Sequence, residues 1–337
     1  MRAKVILFAL FVSVAFGQDA NVSRVFHLHH VETTQDLNEL AVLIRTVADI
    51  SDATTDTVQK TVSVRGTASQ IAIAEWLFTE LDRQTLPDSV TQEFKVPNSA
   101  DDVVRVFYLP NTATVQAFQE IATTIRTIAE IRRVFTYNTP RALAVRGTAD
   151  QIAAAAFMIG ELDQPAGAKR TDSRVFQMID TSKYPATGVQ VFYLPYAATV
   201  QQFQEVATLI RTIGEIRRVF TYNAPRAVVV RGDVDQIALA DWLIKELGKQ
   251  VAADTVSSAT YTYPDIYHDG ENLVRVFYVK GVPTIAAFQQ LATQIRTTVK
   301  IRRVFTYNAT LALALRGTAA QLALAEQMLN DRQIAAK

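Results

Sequence analysis

The chain has no cysteine, only four histidines and two tryptophans among 337 residues, and almost no net charge. Without cysteine there is no disulfide, no thiol nucleophile and no lipid-modified cysteine behind a leader, so packing alone must stabilise the fold. With 34 Lys and Arg against 33 Asp and Glu, no overall charge draws the chain to nucleic acid or to an anionic membrane. Long apolar runs are missing too, except at the start. Arg2 and Lys4 precede the apolar stretch Val5 to Phe16, and Ala15-Phe16-Gly17 places small residues before Gln18. That is the layout of a secretory signal peptide over residues 1–17, too short for a membrane-spanning helix. The chain is therefore expected to be periplasmic or secreted, with no transmembrane segment after cleavage. No phosphate-binding Gly-rich loop, Gly-x-Ser-x-Gly or His-Glu-x-x-His is present, so no catalytic residue, cofactor or metal is assigned.

What the sequence does hold is repetition. Ile-Arg-Arg-Val-Phe-Thr-Tyr-Asn occurs at 131–138, 216–223 and 301–308, and Val-Phe-Tyr recurs at 106–108, 191–193 and 276–278. An Arg-Gly pair follows at Arg146-Gly147, Arg231-Gly232 and Arg316-Gly317, and a diverged first copy has Val25-Phe26 and Arg65-Gly66. Within the second copy, Val106 to Leu109 reads as a strand stopped by Pro110. From Thr114, the apolar residues Val115, Phe118, Ile121, Ala122, Ile125 and Ile128 fall at helical spacing. Arg133–Tyr137 and Ala142–Arg146 read as a β-hairpin across Asn138-Thr139-Pro140-Arg141. Gly147 breaks the chain, and Thr148 with Gln151 forms a capping box for a second helix, buried through Ile152, Ala155, Ala156, Ile159 and Leu162. The boxes recur at Thr67/Gln70, Asp233/Gln236 and Thr318/Gln321.

The predicted fold class is α+β, a tandem array of four KH-like βαββα units, each a small sheet with two helices on one face. The units span 18–84, 100–164, 186–248 and 270–333. Linkers 85–99, 165–185 and 249–269 are expected to add strands to neighbouring units, since structureless loops of that length are uncommon.

Val106-Phe107-Tyr108-Leu109, Val145-Arg146-Gly147-Thr148, Gln151-Ile152 and Glu161-Leu162-Asp163, repeated along the chain, resemble the secretin N-domain repeat (NolW-like, secretin–TonB short N-terminal domain). The resemblance implies periplasmic domains that contact one another and secretion or outer-membrane partners. The expected function is thus a non-enzymatic periplasmic scaffold or adaptor. Its partners would be secretin-like or outer-membrane components, with self-association open and nucleic acid excluded. The alternative is a cell-wall glycan-binding protein. Two departures stand out: the family's Asn near the third strand is replaced by Arg141, Arg226 and Leu311, and no pore domain is expected after the fourth copy.

The resemblance also orients the strands. Phe107, Leu109, Val134 and Thr136 turn towards the helices, which leaves Tyr108, Phe135 and Tyr137 on the open face. Tyr193, Phe220, Tyr222 and Tyr278, Phe305, Tyr307 follow in copies three and four, while copy one has His27, Thr54 and Asp56. These nine aromatics are the candidate interaction face, to be covered by a linker strand, an adjacent unit, a partner protein or a glycan. Arg65, Arg146, Arg231 and Arg316 are read as structural, pairing a carboxylate or a helix-end carbonyl. His27 and His29 would share a strand face, but no further metal ligand stands at a diagnostic spacing, and His268 is isolated. If the leader is read correctly, the intact mass of the exported protein places its first residue at or within a few residues of Gln18. A membrane-embedded product that retains Met1 would contradict the assignment.

Overall fold

The computed structural model describes residues 21–83, 93–97, 99–178, 187–223, 226–249, 258–264 and 270–335. The leader, Gln18 and His268 lie outside these residues. The chain divides into two compact bodies, residues 1–85 and 86–337.

The first body holds one copy: β1 (Val22–His27), α1 (Thr34–Val47), β2 (Asp52–Asp56), β3 (Thr61–Gly66) and α2 (Ala68–Leu81). Its sheet has the order β1-β3-β2, antiparallel throughout. The second body repeats this order three times. Copy two comprises β4 (Phe94–Lys95), β5 (Val103–Tyr108), α3 (Val115–Ile128), β6 (Arg133–Tyr137), β7 (Ala142–Gly147) and α4 (Ala149–Leu162). Copy three comprises β8 (Phe176–Gln177), β9 (Gly188–Tyr193), α5 (Val200–Gly214), β10 (Arg218–Tyr222), β11 (Ala227–Gly232) and α6 (Val234–Leu247). Copy four comprises β12 (Ser258–Thr262), β13 (Leu273–Tyr278), α7 (Ile285–Val299), β14 (Arg303–Tyr307), β15 (Ala312–Gly317) and α8 (Ala319–Ala335).

The strands β4, β8 and β12 come from the linkers. Each pairs antiparallel with the first strand of the copy that follows it, giving four-stranded sheets such as β4-β5-β7-β6. The linker pieces therefore extend the sheet of the next copy, and copies two to four form one body instead of separate beads.

Alternation sorts each strand between two faces. In copy two, Phe107, Leu109, Val134, Leu143 and Val145 pack with Phe118, Ile121 and Ile125 of α3 and with Ile152 and Ile159 of α4. Val115 does not join this stripe. It stands 57% exposed at the first helical position, where a side chain points back over the preceding turn and away from the sheet.

Local contacts lock the same joints in every copy. Gln151 accepts from the Thr148 backbone N–H while Thr148 Oγ1 accepts from the Gln151 N–H, so two otherwise orphan donors are satisfied. Gln151 Nε2 then donates to the carbonyl of Glu130 at 3.0 Å, tying the start of the second helix to the end of the first. Gln236 and Gln321 make the same tie to Glu215 and Lys300 at 3.3 and 3.1 Å. Those receiving residues are left-handed, at φ between 53° and 58°. Glycine precedes each cap for want of room: a Cβ on Gly147, Gly232 or Gly317 would lie 2.7–2.8 Å from the capping glutamine's Oε1.

The hairpin position where the resembled family carries Asn is also left-handed here. Arg141, Arg226 and Leu311 have φ of 52°, 54° and 50°, a region Asn tolerates better than most residues. Arg141 offsets some of this by donating to the Ala113 carbonyl at 2.8 Å. Leu311 has no such donor to offer.

Replacing Gln151 by Ala removes the reciprocal cap and the tie to Glu130 together. A loss of about 1–3 kcal/mol is expected, seen as a lower melting temperature of the second body. An unchanged melt would mean that the tie contributes nothing.

Candidate functional site

The sheet faces turned away from a copy's own helices are where the nine aromatics fall. In copy three this face carries Val189, Val191, Tyr193, Tyr222, Ala227 and Val229. These residues belong to the same buried cluster as the α3 and α4 side chains of copy two. In copy four the corresponding residues Val274, Val276, Tyr278, Tyr307, Ala312 and Ala314 share a cluster with α5 and α6 of copy three. The helix layers of copies two and three thus each have a sheet on both sides, their own and the next. This explains why α4 buries Ala154 and Met158 besides the single stripe that its periodicity marks.

Of the candidate face, Tyr193, Tyr222, Tyr278 and Tyr307 are at most 8% exposed. Phe220 and Phe305 pack half-buried against the same clusters. In copy two, Tyr108 and Phe135 are half-buried and Tyr137 is buried. Copy one keeps His27, Thr54 and Asp56, all exposed.

Polar contacts fix the register of the stack, and they repeat one copy apart. Glu120 accepts from both the backbone N–H and the Nδ2 of Asn223, at 2.9 and 2.8 Å. Glu205 does the same for Asn308 at 3.0 and 2.6 Å. The Tyr278 hydroxyl donates to the Glu246 carbonyl at 2.7 Å, and that of Tyr193 donates to the Glu161 carbonyl. Arg231 and Arg316, 4% and 3% exposed, donate to the carbonyls of Ile128 and Ile213 at 2.9 and 3.2 Å. Those carbonyls end α3 and α5, where the helix dipole favours a cation.

Strand register sets Arg218 directly opposite Arg231, and Arg303 opposite Arg316. Such like-charge pairs repel. Glu130 of the preceding copy contacts both members of the first pair, and Glu215 both members of the second. With these carboxylates 34% and 42% exposed, each bridge is worth no more than about 1 kcal/mol. Arg146 instead donates to the Asp101 carbonyl and to Ser99 Oγ, and Arg65 is exposed.

The linker strands add aromatic contacts between copies. Phe176 stacks on Phe157 of α4 with ring centroids 5.1 Å apart, and Tyr261 lies 5.3 Å from Trp242 of α6. Arg316 also lies over the buried ring of Tyr263, 4.2 Å from its centroid.

Several recurring residues escaped the sequence reading. Arg126, Arg211 and Arg296 of the Ile-Arg-Thr motif donate to the carbonyls of Val134, Val219 and Val304 on the outer strand of their own copy, at 3.1, 2.7 and 2.8 Å. Glu120 and Glu205 were missed as well. Recurrence at the copy spacing was the available signal for both sets. For the histidines the structure corrects the expectation of a shared strand face. β1 stops at His27, and the backbone N–H groups of His29 and His30 donate to the Asp82 carboxylate. Among the described residues no group of three or more His, Cys, Asp or Glu is gathered to hold a metal, and no helix is long and apolar enough to cross a membrane.

Burial raises the pKa of Tyr193, Tyr222, Tyr278 and Tyr307, with the Glu246 carboxylate adding to the rise at Tyr278 and Glu205 at Tyr307. The folded state therefore holds these protons above pH 10, near which an unfolded tyrosine releases its own. Their stabilisation is complete below about pH 10 and falls as pH rises beyond it. The urea midpoint of the chain is expected to hold from pH 8 to 10 and drop by pH 11, less steeply in Tyr278→Phe. A midpoint flat to pH 11 would contradict the burial of these hydroxyls.

No family model matches the chain, and no curated protein does. Among solved structures it is similar to Aeromonas hydrophila ExeD, at 15% identity over 72% of this chain and 43% of that one, with a TM-score of 0.17. It is also similar to the N-terminal domain of the secretin XcpQ from Pseudomonas aeruginosa, at 15% identity over 43% of this chain and 62% of that one (TM-score 0.19). Dim2p from Pyrococcus horikoshii matches at 14% identity over 43% of this chain and 94% of its own length (TM-score 0.24). The chain spans less than two thirds of the length of either secretin structure. At these identities the similarity is one of fold.

Proposed function

We propose that the chain is a non-enzymatic scaffold or adaptor, exported to the periplasm, that works by protein–protein contact with a secretin-type secretion system or another outer-membrane assembly. The observation that carries this reading is the stacked second body, in which one outward position recurs in every copy. Val115, Val200 and Ile285 each open the first helix of their copy and are 57%, 60% and 51% exposed. They contribute little to the core, yet they present an apolar contact three times over. Repeated weak contacts on one body bind a repetitive partner more tightly than any single one does.

The glycan-binding alternative needs the aromatic sheet faces to be open. In copies three and four those faces lie against helices, so that reading has less support. Repetition also favours a scaffold over an enzyme, since an active site would set one copy chemically apart for catalysis.

A photo-crosslinking residue placed at Val115, Val200 or Ile285 in cells tests the proposal. Adducts with proteins of the secretion or outer-membrane machinery are expected at these positions, and none at Val58, a 92% exposed control in the hairpin of copy one. Retention of the purified chain on cell-wall glycan, with no protein adduct at any of the three positions, would overturn it.

A further inference from the structure

We infer that copy three carries a binding cleft for a phosphate-type oxyanion, a site independent of the scaffold reading. The argument begins with the doubled arginines Arg132-Arg133, Arg217-Arg218 and Arg302-Arg303, which open the second strand of copies two, three and four. In copy two the second arginine pairs with Asp101, 32 residues before it. In copy four it pairs with Glu271, again 32 residues before it, and Glu271 also reaches Arg302 at 3.5 Å. The same spacing in copy three leads to Ala186, which has no charge. One copy has lost the acid that its siblings keep.

Copy three has a cleft of about 720 Å³ whose lining, among the described residues, includes Arg211, Arg217, Arg218, Arg231, Arg303 and one acid, Glu215. Glu130 and Glu271 pair with lining arginines from outside it. Arg211 spends one donor on the Val219 carbonyl, and Arg218 and Arg231 share Glu130. Arg217 is exposed and makes no ion pair or hydrogen bond among the described residues. Its planar fork matches the spacing of phosphate oxygens. The volume falls within the few-hundred to roughly 1,000 Å³ range of small-molecule sites, which suits a phosphate ester or pyrophosphate better than one phosphate ion.

Calorimetric titration of the mature chain with inorganic pyrophosphate tests the inference. One site per chain is expected. Arg217→Ala, at an exposed residue with no hydrogen bond or ion pair among the described residues, should weaken binding about tenfold, as removal of a charge-assisted bidentate pair does. Ala186→Asp, which restores the acid of the sibling copies, should weaken it as well. Arg132→Ala and Arg302→Ala, the equivalent arginines elsewhere, should leave it unchanged. No binding, or equal weakening by all three arginine variants, would overturn the assignment. Adsorption to phosphatidylglycerol vesicles without binding of soluble pyrophosphate would overturn it too, and would point to general attraction by a basic surface.

Discussion

Everything in the second body depends on each sheet having two apolar faces and only one pair of helices of its own. A unit of about 60 residues has too little interior to be secure alone. For copies three and four the missing half of the cover comes from the helices of the preceding copy, so each of these two joins is a shared core. The octapeptide that dominates the sequence is largely the strip along which this happens. In copies three and four its second arginine meets a carboxylate of the preceding copy, its valine turns inward, its tyrosine is buried under the neighbouring helices, and its asparagine is gripped by Glu120 or Glu205. Such a strip is held constant because it must fit a second surface as well as its own fold.

The join is directional as well as apolar. The buried tyrosine, asparagine and arginine donate, while the helix layer accepts through carboxylates and through carbonyls near helix ends. Helix C-termini supply these carbonyls where intrahelical partners run out. A helix layer therefore recognises the sheet side of a neighbour, not another helix layer. The left-handed residues Glu130 and Glu215 serve twice here. Their carbonyls bind the capping glutamine of their own copy, while their side chains separate two arginines of the next.

Most of this fold was legible because each element has a local signature. Strand and helix periods, the Thr-x-x-Gln boxes and the turn residues all depend on neighbours within a few positions, and the structure places the elements within a few residues of the expected bounds. Less legible was what happens between copies. Helical periodicity marks one stripe, so Ala154 and Met158 on α4 gave no sign that a second face was buried. Glu120 looks like any solvent-facing acid until Asn223 is set beside it, 103 residues away. The aromatic face was found, but alternation says only which way a side chain points and nothing of what lies there. The doubled arginines stand in the repeated octapeptide, yet the acids that pair with them in copies two and four lie 32 residues upstream, a spacing that no local motif encodes.

A head-to-tail join has no inherent stopping point, because a surface complementary to its neighbour's opposite side can add subunits without limit. The helix face of copy four lacks the pieces such growth would need, and so does the sheet of copy one within its own body. On α7 the places of Glu120, Thr124 and Ile128 are taken by the exposed Gln290, Gln294 and Thr298, which offer neither the carboxylate grip nor the apolar seat. On the free sheet of copy one, exposed Ser23, His27, Thr54 and Asp56 stand where later copies bury valine and aromatic rings. Asp52 lies opposite Arg65, so that arginine already faces a counter-charge within its own sheet. The last helix layer of the second body is thus a terminator on a polymerisable repeat, and a join like that between copies three and four has nothing to grip there at any concentration.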